Sequence, residues 1–358
     1  DFGFDLRVQT RQTIQDAAKG GNGRETQVRL YRSSWYWHPT KSGLRISAGR
    51  QTSADLSRVS MFDGLMAEYS RARWSAGLLS GTQPDYVGYG YSADIREHGG
   101  FVKYERRGIS TSQWSVTGGI VGSYYKGSID REYMFAQWHG NTDRLTTTLN
   151  QEFDFNRGWK RSQGERVFSA TNSEAYCRFR IVESLAMESG FDDRRNVRLY
   201  RFKETPETQF DDTHRQGLWA GVSQALGKRH QVELRARASA DGSLRAVNSV
   251  NVNYSGRWPE LASLRVRTRS TRYDSGRALG WLHSLSAGWS IGTHLAVELT
   301  QGVRLESSGG AHAKRLNWGQ VDTDLSFGRH WSLSLSAEYS QGSNEDHRTY
   351  HSGTRYRL

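Results

Sequence analysis

Six arginines stand in three neighbouring stretches: Arg235 and Arg237, then Arg245, then Arg265, Arg267 and Arg269. A two-residue spacing puts side chains on one side of an extended chain, so each stretch presents its guanidinium groups together. Arginine stays charged at any relevant pH and tolerates a wet wall, so the chemistry open to this array is electrostatic handling of anions rather than proton transfer. Val232, Leu234, Ala236 and Ala238, then Val250, Val252 and Tyr254, then Leu264 and Val266, take the opposite, apolar parity. Farther along, Glu298, Asp322, Asp324 and Glu338 fall on the polar parity of their own stretches. A basic and an acidic wall around one water-filled space create a transverse field that sets ion preference. The competing reading is that these charges neutralise one another in salt bridges.

Other reactive groups lack the spacing that chemistry needs. His283-Ser284 and His351-Ser352-Gly353 do not match the His-x-Ser-Asn-Gly pattern of membrane-barrel phospholipases, and strand neighbours point to opposite faces. His347 and His351 share a face but stand roughly 13 Å apart along a strand, too far for one metal ion. No HExxH motif occurs, and the glycines between Gly88 and Gly100 lack the strand-to-helix context of a phosphate loop. Cys177 is the only cysteine, sharing a face with Ala175, Phe179 and Ile181, and reads as a small apolar wall residue. No catalytic residue, metal or cofactor is therefore expected, and no enzyme activity.

The elements that must position the charges are strands. Between Arg277 and Leu305, the residues Leu279, Trp281, His283, Leu285, Ala287 and Trp289 keep one parity while Gly280, Ser284, Ser286, Gly288 and Ser290 keep the other. After a turn near Gly292, Leu295, Val297, Leu299, Gln301, Val303 and Leu305 alternate against Ala296, Glu298, Thr300, Gly302 and Arg304. Each run exceeds the ~9–11 residues a tilted strand needs to cross a bilayer. The pair is a candidate transmembrane hairpin.

Composition agrees. Only 35% of the 358 residues are hydrophobic, yet the chain has 12 Trp, 17 Tyr and 38 Gly against 4 Pro, and its mean hydropathy is −0.75. A helical membrane protein would show apolar runs of ~18 or more, which the sequence lacks. A transmembrane β-barrel needs apolar residues only at alternate positions. Disorder is excluded by the 12% aromatic content and the regular alternation.

Taken along the chain, the alternation predicts an all-β, antiparallel transmembrane barrel of about 20 strands (~18–22), one domain over 1–358. Long loops alternate with short turns, which places both termini on the periplasmic side and requires the first and last strands to pair. The segment between Asp192 and Arg215 is the longest irregular stretch and is expected either to fold partly into the mouth or to cap the outside or extend the strands beyond the membrane; the stretch after Arg50 reads as a polar loop. Trp74, Trp289, Trp331 and Tyr356 lie near proposed periplasmic turns, as an aromatic girdle would. The opening DFGFDLRV is already in strand pattern, consistent with a mature or trimmed form. Tyr350, Ser352, Thr354, Tyr356 and Leu358 share a face and resemble a barrel-assembly signal strand.

Two stretches, LRISAGRQ followed by MFDGLMAEYS, and FDDRRNVRLYRFKETPETQFDDTHRQGL, resemble porin-like outer-membrane barrels of Gram-negative bacteria. The resemblance implies outer-membrane localisation and carries no binding residue with it. The expectation is a pore for passive diffusion of small hydrophilic solutes, anions by preference. The alternative is a structural barrel enclosing or threading a partner protein: a lipoprotein, a secreted chain or an electron-transfer protein. The net charge of +12 is assigned to outer-membrane lipid and lipopolysaccharide rather than nucleic acid, for which the sequence shows no helix, finger or aromatic-basic platform.

Overall fold

A computed structural model of the chain describes all residues except 15–23, 40–41, 54, 57–58, 60, 86–89, 108–111, 198, 201–213, 241–245, 262, 276–277, 308–313, 329–330, 343–345 and 357–358. Twenty strands account for most of the described chain. The first ten are β1 (Phe2–Ile14), β2 (Arg24–Trp37), β3 (Leu44–Gln51), β4 (Phe62–Arg71), β5 (Trp74–Thr82), β6 (Ile95–Arg107), β7 (Gln113–Tyr125), β8 (Ser128–Asn141), β9 (Leu145–Phe155) and β10 (Phe168–Val182). The others are β11 (Leu185–Arg195), β12 (His214–Leu226), β13 (His230–Ala240), β14 (Ala246–Trp258), β15 (Leu264–Asp274), β16 (Leu279–Ile291), β17 (Leu295–Ser307), β18 (Lys314–Phe327), β19 (Trp331–Gly342) and β20 (His347–Tyr356).

Each strand pairs antiparallel with the next, and β1 pairs with β20 from Arg7↔Arg355 to Thr13↔Thr349, closing the sheet. This is the barrel the alternation predicts, with both termini at the same end. Connections at that end are six residues or fewer, whereas the longest ones lie at the other, and in such barrels the end with short turns faces the periplasm.

Alternation then divides every strand between two environments. Phe2, Leu65, Leu78, Ile120, Leu149, Leu218, Leu234 and Leu285 all point outward, and Leu78 is 70% exposed. At the short-turn end of this apolar band, Trp74, Tyr104, Trp114 and Trp138 form a chain of ring contacts with centroids 4.8, 5.2 and 5.4 Å apart. Trp331 pairs across the ladder with Tyr356 at the same end. Rings with one wet and one dry edge settle at the headgroup level.

Strands run farther than the apolar alternation suggests. The stretch from Ser123 to Arg131 reads as a loop, but β7 and β8 turn over Lys126 and Gly127, with φ of 48° and 86°. Two successive positive φ angles are what a two-residue hairpin of matching twist requires. Likewise β6 begins at Ile95 and β14 continues to Trp258, because ladder pairing persists past the band where apolar residues are needed. One helical turn, α1 (Trp159–Ser162), lies within the expected loop between β9 and β10.

An arginine on the lipid-facing wall should cost ~2–4 kcal/mol at mid-membrane. Leu285→Arg, on the outer face of β16, should therefore lower unfolding stability in bilayers by about that amount, while Ser284→Arg, its inward neighbour, should cost far less. Equal losses, measured by denaturant titration, would contradict the facing assigned here.

Candidate functional site in the barrel lumen

Ladder registers fix which side chains share the interior. Leu234 pairs with Val252, and Tyr254 with Thr268. With these on the lipid side, Arg235, Arg237, Arg265, Arg267 and Arg269 face inward, as do Glu298, Asp322, Asp324 and Glu338. Arg245 lies outside the described residues. One inward row runs Arg257, Arg265, Gly288, Glu298, Asp322 from β14 to β18. The basic and acidic residues are thus adjacent sectors of one wall, two to three strand spacings of ~4.8 Å apart.

Proximity allows some charges to cancel. Arg235 Nη2 donates to Glu188 Oε1 at 2.9 Å and lies 2.8 Å from Glu233, with its guanidinium 4.3 Å over the Trp219 ring. That ring lies flat against β11, where a Cβ on Gly190 would stand 2.4 Å from it; only glycine leaves room. Arg237 donates to Asp192 at 2.9 Å, and Arg267 grips Glu298 at 2.6 and 2.8 Å.

Arg265 and Arg269 differ. Arg265 reaches only Ser290 Oγ, at 3.4 Å, and Arg269 reaches Thr271 Oγ1 and Asn251 Oδ1 at 3.3 and 3.5 Å. Neither forms an ion pair among the described residues. Arg257, at the short-turn end of β14, sits directly opposite Arg265 in the ladder. Like charges directly opposed are destabilising unless water or counter-ions screen them. Parity could have revealed Arg257, but the apolar alternation of β14 ends at Tyr254 and the strand does not. Beside these arginines, Gln231, Asn253, Ser255, Ser284 and Ser286 line a polar recess of about 380 Å³ that also includes Arg267, Arg269, Glu233 and Glu298. On the acidic side, Asp322 accepts from Gln320 Nε2 at 2.9 and 3.0 Å.

On the opposite side of the interior, apolar side chains pack together. Leu56 and Val59, between β3 and β4, pack with the inward-facing Phe62, Met66, Leu79, Phe101, Val121, Tyr133 and Phe135. Asp55 Oδ1 accepts from Lys103 Nζ at 2.9 Å on the inner face of β6. The stretch read as an ordinary polar loop therefore sends Leu56 and Val59 into the lumen. Its signal was the pair Leu56 and Val59, three residues apart amid serines and charges. The segment expected to fold into the mouth is strand as far as Arg195, and most of the remainder lies outside the described residues; Tyr200 meets Trp159 edge-on at 5.6 Å.

A second cluster braces the same half. Asp154 accepts from Arg131 Nη2 and Thr171 Oγ1, both at 2.7 Å, and Arg131 also holds Glu152 at 3.0 Å. Lys160 of α1 reaches down to 3.9 Å from Asp154 and is 2% exposed. Burial holds its ammonium below the usual lysine range, opposed by the nearby Asp154 carboxylate.

No family model and no curated protein matches the sequence. Solved structures do match its fold. Pseudomonas aeruginosa OpdO aligns with TM-score 0.56 at 11% identity, over 100% of this chain and 97% of that one. The fold is that of the outer-membrane porins. Pseudomonas aeruginosa OpdL aligns with TM-score 0.55 at 10% identity over 100% and 99%. Acinetobacter baumannii OccAB4 gives 0.53 at 8% over 99% and 97%. At these identities the likeness is one of architecture: a closed antiparallel barrel whose strands repeatedly cross the membrane.

Leu56 is 1% exposed, and truncating such a residue costs ~2–5 kcal/mol. Leu56→Ala should loosen the packing of Leu56 and Val59 against the inner wall and raise protease cleavage of the segment between β3 and β4 at least about tenfold, leaving the strands intact. Unchanged cleavage would mean that the segment is not held by this cluster.

Proposed function

We propose that the protein is a passive, non-enzymatic outer-membrane pore for small hydrophilic solutes, preferring anions. The observation that carries the preference is the strip Arg257, Arg265 and Arg269: inward-facing guanidinium groups without an ion pair among the described residues, two of them directly opposed. A low-dielectric wall focuses their field into the water beside it, so anions concentrate along this sector. Arg235, Arg237 and Arg267 contribute less because carboxylates already hold them. Glu298, Asp322, Asp324 and Glu338 shape the neighbouring sector, turning a dipolar solute so that its negative end meets β15. Leu56 and Val59 narrow the lumen from the other side. Enclosure of a partner chain has less support, since the protein's own side chains occupy part of the space such a partner would fill.

Screening decides how far the preference extends. The Debye length is ~10 Å at 0.1 M salt and ~30 Å at 0.01 M, so selectivity should sharpen as salt falls. Replacing Arg265 and Arg269 by Gln should lower the anion-to-cation permeability ratio, read from reversal potentials in a salt gradient, and Arg237→Gln should change it less. A wild type that prefers cations, or a double variant with unaltered selectivity, would refute the assigned role.

A further inference from the structure

The lipid-facing wall carries cations at its outer edge, where charge costs little. Register places Arg272 of β15, Trp281, Leu305 and Arg315 of β18 in one outward row. Arg348 of β20 pairs with Tyr339, also outward. All three arginines are exposed and lie within two residues of the ends of their strands, at the side opposite the periplasmic turns. Arg272 stacks 5.7 Å from the centroid of the Trp281 ring, and Arg315 Nε donates to Asn317 Oδ1 at 3.1 Å. None of the three forms an ion pair among the described residues. Asp274 and Asp346 are the nearby exposed carboxylates at this edge.

Hollows descend from two of these arginines. On β16–β20, Ala287, Gly319 and Ala337 floor a concavity of about 600 Å³ walled by Leu285, Leu299 and Val321, with Arg348 at its upper edge. On β12–β15, Ala220, Ala236, Ala238 and Val250 line one of about 540 Å³ that includes Arg272. A groove of small apolar residues ending in a cation at headgroup height matches an acyl chain joined to an anionic head. Arg272 and Arg315 stand three ladder steps apart, ~14 Å, a span suited to a head group with more than one phosphate.

We propose that this edge binds a phosphorylated, multi-acyl lipid of the outer leaflet, its chains in the two hollows and its phosphates on Arg272, Arg315 and Arg348. Phosphate suits guanidinium through paired, charge-assisted hydrogen bonds. The site is independent of what the lumen conducts.

The test uses the delipidated, detergent-purified barrel, titrated with diphosphorylated lipid A or with phosphatidylglycerol and read by native mass spectrometry. Wild type should retain lipid A in preference to phosphatidylglycerol, and each arginine replaced by Gln should weaken retention roughly fivefold. The lysine triple variant should keep most of the binding. If the glutamine triple variant does not fold, R315Q and R348Q singly decide the matter by the same fivefold criterion. Lipid A retention unchanged in the glutamine variants, equal retention of phosphatidylglycerol, or a chain dimer forming on this face in place of lipid binding would each overturn the proposal.

Discussion

A bilayer offers no water to an unpaired backbone amide, so each N–H and C=O within it must find its partner inside the protein. In this chain that requirement is met by a sheet that closes on itself, β1 against β20. Everything else follows from closure. The two-residue side-chain period becomes a division between lipid and lumen, and a residue's parity decides which physics governs it. Outside, Leu78, Leu218 and Leu285 meet acyl chains. Inside, arginines and carboxylates pair with one another or line the polar wall.

The interior is not uniform around its circumference. From β3 to β10 it resembles the core of a soluble domain, with Leu56 and Val59 inserted among inward-facing aromatic and aliphatic side chains and a buried ion cluster around Asp154. Burying Leu56 and Val59 there rewards their ordering, a cost that an empty water-filled lumen would not repay. From β13 to β18 the wall stays polar, with serines and asparagines between the charges. On the function proposed, passage runs along the side where Arg257, Arg265 and Arg269 stand. A solute moving past that wall would meet uncompensated positive charge on β14 and β15 and negative charge on β17 and β18, within a few strand spacings.

Much of this was legible in the chain because strand periodicity is local. Leu279 to Trp289 announces a strand without knowledge of any neighbour, and parity alone turns Arg235, Arg267 and Glu298 inward. What stayed hidden depends on pairs of strands. That Arg267 reaches Glu298, or Arg237 reaches Asp192, follows from registers and diagonal reach across β15–β17 and β11–β13. Arg257 escaped because apolar alternation marks the membrane band and not the strand end. The inward packing of Leu56 and Val59 escaped because two apolar residues among serines look like any surface loop until the inward wall facing them is known to be apolar too.

The most direct measurement is the conductance of the purified wild-type barrel in a planar bilayer. The account predicts discrete, voltage-independent current steps from single molecules, carried more by chloride than by potassium, with the bias growing as salt is diluted. A correctly folded barrel that inserts and passes no current would contradict it, since an open polar sector between β13 and β18 cannot then form a continuous path across the membrane.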